Sequence, residues 1–191
     1  DASSAQTKVI VKTSDETIDT SSGKILSGVT LSAPAGSSVI SPASTILEAQ
    51  PNIKPEQLAI ALGIPTTAAD GSPIDILNFN PFSSDADPEA ALAVEKAGQQ
   101  VMVTIQAVSA AAEGAGMSVE QAFQQAMESV SEVVSATAAT IDVSSPEAVS
   151  AAENAIASGE LTKIDLSGSS FLGAVSEGVK AKVAEAAIAD K

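Results

Sequence analysis

The chain has no cysteine, histidine, tryptophan, tyrosine or arginine, and aromatic residues make up only 2% of its 191 positions. Each absence removes a class of chemistry. Without cysteine there are no disulfides and no thiolate metal ligands. Without histidine the commonest general base and the commonest transition-metal ligand are both missing. All nine basic residues are lysine, so no guanidinium can grip a phosphate or carboxylate through two parallel hydrogen bonds. Catalytic triads, zinc hydrolase centres and phosphate-gripping pockets lose their usual parts, and the expectation is that the chain is not an enzyme.

Positive charge and long hydrophobic runs are scarce too. Nine lysines against 24 acidic residues leave a net charge of −15 and a pI near 4.1. Nucleic acid needs clustered cations and anionic membrane surfaces repel such a chain, so neither is an expected partner. The most apolar stretch, Ala90 to Ala112, is broken by Glu95, Lys96, Gln99 and Gln100, and no membrane insertion is expected. The first residues, Asp1-Ala2-Ser3-Ser4, lack a basic segment followed by an apolar run. A mature or excised fragment of a longer secreted protein would look like this. An acidic, cysteine-free surface suits salty or calcium-rich surroundings, where counterions weaken self-repulsion. The expected location is extracellular, at a cell surface.

What is present is alanine and aliphatic side chains: 45% of the chain is apolar. Alanine favours helix and permits close helix approach while burying little area per residue. The length suits one domain or a domain with a small appendage. The expected fold is mainly α (α+β), with a small N-terminal β segment over residues 1–40 followed by an alanine-rich antiparallel helical bundle over 41–191.

The β signals are short. Thr7 to Thr13 is β-branched and roughly alternating, Ser14 to Gly23 reads as a polar loop, and Lys24 to Ser32 and Ser37 to Ile40 read as further short strands. So small a β segment must pack on the helices, or pair with a preceding domain or a neighbouring molecule. Helical punctuation begins at Ser41-Pro42, a cap followed by proline at the first helical position. Lys54-Pro55-Glu56-Gln57 opens a second helix that Gly63 stops. Thr66 to Asp85 is a loop, yet Ile74, Ile76, Leu77, Phe79 and Phe82 are too apolar for solvent, so it is expected to be pinned on the core, with Phe79 and Phe82 as plugs. Asp87-Pro88-Glu89 caps a long helix striped by Val94, Ala97, Val101, Ile105, Val108 and Ala112. After Gly114-Ala115-Gly116, the capping-box pattern Ser118-Val119-Glu120-Gln121 starts another, striped by Val119, Ala122, Phe123, Ala126, Val130, Val133, Val134 and Thr137. The short link between them predicts an antiparallel hairpin. Ser145-Pro146-Glu147 opens a fifth helix ending near Gly159, Leu161 to Leu166 reads as extended, and Phe171 to Ala189 carries a last stripe on Leu172, Val175, Val179, Val183 and Ala187.

Three runs carry a family resemblance: Ser32-Ala33-Pro34-Ala35-Gly36-Ser37-Ser38-Val39-Ile40-Ser41-Pro42-Ala43-Ser44-Thr45-Ile46-Leu47; Leu62-Gly63-Ile64-Pro65 followed by Asp75-Ile76-Leu77-Asn78-Phe79-Asn80-Pro81-Phe82; and Ala91-Leu92-Ala93-Val94-Glu95-Lys96-Ala97-Gly98-Gln99-Gln100-Val101. In this order they resemble a helical module of very large secreted bacterial surface or adhesin-like proteins, found alongside calcium-binding and cadherin-like or immunoglobulin-like repeats. The resemblance spans roughly Val29 to Gly116. It implies secretion and a spacer or adhesive role, and it brings no catalytic residues with it.

Calcium is the one cofactor the residue inventory could serve, because it needs only oxygen donors. The candidate ligands are Asp70 and Asp75 with Ser72 in one loop, and Asp85 and Asp87 with Ser84 and Glu89 in the next. Neither loop has glycine sixth and glutamate twelfth among spaced acids, so the plainer reading is that Asp87 caps a helix and the other acids are solvated. Asp15, Glu16 and Asp19 are weaker candidates. Asp70 with Asp75, or Asp85 with Glu89, could be a glycosidase carboxylate pair, but no Trp or Tyr offers a sugar platform. A serine activated by Lys96 would need that lysine buried. Two functions remain: a non-catalytic structural or adhesive module of a bacterial surface or matrix protein, joined to flanking domains, or a self-associating filament or sheath subunit whose N-terminal strand completes a neighbour's sheet. A glycan-active enzyme is a distant third.

Overall fold

The computed structural model describes residues 8–14, 16–18 and 28–189. Two strands, β1 (Val9–Lys12) and β2 (Thr30–Ala33), pair antiparallel with Val9 opposite Ala33 and Lys12 opposite Thr30. The helices are α1 (Pro42–Ala49), α2 (Pro55–Leu62), α3 (Pro88–Gly114), α4 (Val119–Ala138), α5 (Pro146–Ser158) and α6 (Ser169–Ala189). The fold is mainly α with a small N-terminal β segment, as the residue pattern predicts.

The helix starts are built by local chemistry. The hydroxyls of Ser41, Ser118 and Ser145 and the carboxylate of Asp87 accept the N–H three residues on, satisfying one of the donors that a helix leaves orphaned at its start. Proline occupies the first position of α1, α2, α3 and α5, where its missing N–H costs nothing. At α2 the Gln57 amide oxygen takes the Lys54 N–H instead, while its NH2 reaches the Ile141 carbonyl 2.8 Å away. Gly63 ends α2 in the left-handed region (φ 73°, ψ 30°), where a Cβ would also lie 2.7 Å from the Lys163 side chain. The chain after α5 closes over this end, with the Ile164 N–H donating to the Ala61 carbonyl at 2.8 Å.

Helix α4 is the hub, touching α1, α2, α3 and α6. Its predicted stripe is largely buried at Ala122, Phe123, Ala126, Val130 and Val134, and Val133 is half-buried. Two members are corrected. Val119 is half-exposed because it sits at the helix's first turn, and Thr137 faces solvent while Ala138, one residue on, is fully buried. Serines 129 and 131 are buried as well, because α4 is covered on more than one side. On the α6 side the spacing is set by small residues: a Cβ at Gly178 would lie 3.1 Å from the Ser129 hydroxyl.

Helix α3 turns through Ala115–Ser118 into α4, and the two pack along each other extensively. Ala97, Val101, Ile105, Val108 and Ala112 are buried as their spacing predicts. Full burial of a side chain such as Ile105 contributes about 1.5–3 kcal/mol. On α6, Phe171, Val175 and Val179 are buried and Leu172 is half-buried; the predicted Val183 and Ala187 side chains lie outside the described set.

The β segment leans on the helices through β2. Ala33 and Val29 are buried, and the Ser32 carbonyl accepts from the hydroxyls of Ser44 and Thr45 on α1. All four residues of β1 are exposed. The expected strand over Ser37 to Ile40 does not form: the N–H groups of Ser38 and Val39 both donate to the Leu77 carbonyl at 3.1 Å instead of to a ladder. Thr7, Asp15, Asp19 and the expected strand start at Lys24 to Ser27 lie outside the described residues.

Candidate functional site

The acidic loops flank the start of α3. Residues 66–74 fold back on themselves, with the Ile74 N–H donating to the Thr66 carbonyl and the Ala68 N–H to the Ser72 carbonyl, both at 2.8 Å. Asp70 lies at the tip, where one carboxylate oxygen accepts from the Ser72 N–H at 2.9 Å and from its hydroxyl at 2.6 Å. These two donors hold the Asp70 carboxyl below the ordinary aspartate value. Asp87 works at both ends of its side chain. One oxygen accepts from the Ala90 N–H at 2.9 Å, capping α3, and the other from the Ala69 N–H at 3.2 Å, tying the loop tip to the helix. Those hydrogen bonds lower its pKa, against a smaller opposing repulsion from Asp70.

The structure therefore brings Asp70 and Asp87 into one neighbourhood. It uses Asp75 and Asp85 separately. Asp75 accepts from the Leu77 N–H at 3.0 Å and the Asn78 amide at 2.7 Å, and Asp85 accepts from the hydroxyls of Ser83 and Ser84. Glu89 is exposed in the first turn of α3. Among the described residues no three acidic side chains are grouped so as to hold a metal ion. Lys96 is exposed, so it lacks the burial a serine-activating lysine needs.

The loop is pinned as expected through Ile74 and Ile76, which are buried, and Phe79, which is half-buried. Phe82 is a correction: it is 72% exposed and plugs nothing. Tight turns around Asn80 and Ser83 carry it out to the rim of a groove instead.

Sequence reasoning missed a shared device. Asp70-Gly71-Ser72, Asp142-Val143-Ser144 and Asp165-Leu166-Ser167 each place serine two residues after aspartate. In all three the aspartate accepts the serine N–H, and all three carboxyls are held below the ordinary value by that serine. The repeated Asp-x-Ser spacing was the signal. Also missed was Glu153 on α5, which accepts from the Thr66 N–H at 2.7 Å and its hydroxyl at 2.8 Å, fastening the loop's other end.

Comparison with known proteins gives no match to any family model, curated protein or solved structure. Among the described residues no helix is long and apolar enough to cross a membrane.

Proposed function

We propose that the chain is a non-catalytic extracellular module, structural or adhesive, of a bacterial surface or matrix protein. The observation that carries this reading is how the carboxylates are employed. Asp70, Asp87, Asp142, Glu147 and Asp165 all have lowered pKa values, and in each the leading cause is a hydrogen bond from the residue's own turn or helix start. A general acid working near neutrality needs the opposite shift, a raised carboxyl pKa from burial or a second carboxylate. These groups fasten loops rather than move protons. The missing histidine, cysteine and arginine support the same reading, and the resemblance over Val29 to Gly116 supports the surface setting.

The test is a turnover screen of the purified chain against glycans, esters and peptides. No turnover above a heat-unfolded sample is expected; turnover abolished by Asp70→Ala or Asp85→Ala would overturn the reading.

One observation favours the filament subunit as a second reading. Ser32 turns its carbonyl to α1 rather than to β1, which makes Ile10–Ser32 a non-bonded pair of the ladder and turns the Ile10 backbone groups outward. On that edge, which pairs with nothing among the described residues, Val9, Ile10 and Val11 are 43%, 50% and 43% exposed, the kind of edge that accepts another strand. A monomeric mass unchanged on deleting residues 1–13 would remove this second reading.

A further inference from the structure

An apolar groove of about 460 Å³ lies between the first half of α3, the loop carrying Phe79 and Phe82, and the start of α1. Ile64, Ile76, Val101 and Met102 lie along it, and Phe82 and Val103, 72% and 64% exposed, stand at its rim. Its volume and lining fall in the range of small-molecule sites, which are mostly apolar with a few polar groups that orient the guest. Met102 adds a flexible thioether that can adapt to a guest's shape.

Two features narrow the occupant. Glu95 is the one ionisable residue lining the groove among the described residues, and its carboxylate already accepts the Gln99 amide at 2.9 Å. No cation stands there to receive a carboxylate, sulfonate or phosphate head group. A second copy of the chain would bring another net charge of −15 against the first. The other feature is Gly98. It lies in the middle of α3 and lines the groove, yet a Cβ there would meet nothing within 4 Å. Glycine is the poorest helix former after proline, and the packing of this chain gives no reason for it. Its effect is to leave the groove open where any side chain would begin to fill it.

We propose that this groove binds an uncharged apolar molecule, seated over Gly98 between Met102 and the Phe79–Phe82 loop. Ser41, Asn80, Gln99 and Gln106 at the lining supply hydrogen bonds for a hydroxyl or amide on the guest.

The probe is the neutral dye N-phenyl-1-naphthylamine, titrated with the whole chain, which has no Trp or Tyr to confuse the signal. Saturable one-to-one enhancement is expected in a protein that melts cooperatively. Gly98→Leu fills the groove and should weaken binding roughly tenfold or more without lowering the melting temperature, whereas Gly98→Ala keeps most of the volume and should stay within about threefold. 1-Dodecanol should displace the dye at concentrations roughly tenfold below those of dodecanoate, which differs only in its charged head. Absence of saturable enhancement, undiminished binding by Gly98→Leu, or equal competition by dodecanoate would each overturn the proposal. So would a dimeric mass that Gly98→Leu converts to monomer, since the occupant would then be a second copy.

Discussion

Asp87 shows how one side chain can join elements that the sequence keeps apart. Its two oxygens serve the Ala90 and Ala69 N–H groups, and its pKa is lowered from the ordinary 3.8. The folded state therefore holds the Asp87 proton less tightly than the unfolded chain does. The stability it contributes is fully present above about 3.8 and is lost as pH falls through the lower folded value. Asp87→Asn keeps an acceptor oxygen but not the charge. The gap in melting temperature between the native chain and Asp87→Asn should be widest near neutral pH and close in strong acid; circular dichroism melts across that range measure it, and a gap independent of pH contradicts this role. Burial makes a second prediction at this scale. Ile105→Ala, at a fully buried position, should cost about 2–5 kcal/mol in urea unfolding. Leu92→Ala, 69% exposed on the same helix, should stay within about 0.5 kcal/mol. What was legible in the sequence at this scale was what is local: Asp87-Pro88 as a helix start and Ile105 as core. The bond to Ala69 was not, because it depends on where a loop 18 residues away folds. Phe82 was misplaced for a related reason. Hydrophobicity says that a side chain avoids water, not that this fold has a place for it.

At the scale of elements, the helix starts follow from caps within four residues, so Ser41-Pro42, Ser118 to Gln121 and Ser145-Pro146 could be read directly. The strand expected over Ser37 to Ile40 failed because the carbonyl that accepts its N–H groups belongs to Leu77, about 40 residues on. The central place of α4 was equally hidden, since serine normally signals a solvated face and here Ser129 and Ser131 are buried. The Ser131 hydroxyl bonds back to the Met127 carbonyl at 2.7 Å, but the Ser129 hydroxyl, against Gly178 of α6, has no partner among the described residues. Ser129→Ala should therefore stabilise the fold by about 1 kcal/mol, read from chemical denaturation; destabilisation would mean that the hydroxyl is satisfied. The same two helices are clasped by Lys182, 3.0 Å from Glu128 and 3.1 Å from Glu132. Its pKa is raised from 10.5, chiefly by the hydrogen bond to Glu128. The folded state thus favours the protonated lysine, and this contribution is present below 10.5 and lost as pH rises through the higher folded value. Lys182→Gln should cost no more than about 1 kcal/mol at low salt, and less as salt is added. A cost unchanged by salt would point to packing of the lysine stem instead.

For the whole molecule, composition carried the reading furthest. An alanine-rich chain without Trp, Tyr, Cys or Arg folds as six described helices, of which α1, α2, α3 and α6 pack on α4, with β1 at the exposed margin and its acids fastening turns. The net charge opposes self-association, since every copy carries −15. Calcium is the cation that 24 acidic residues suggest, and its four candidate ligands, Asp70, Asp75, Asp85 and Asp87, each also accept hydrogen bonds from neighbouring donors. The central claim is that this is a passive module whose carboxylates hold its own loops. Its most direct test is the mass in solution by light scattering, with and without millimolar calcium at matched ionic strength. The claim predicts a monomer of 18.9 kDa in both conditions. Large assemblies, or a mass that changes with calcium, would contradict it and make the acidic loops or the outer edge of β1 the working parts.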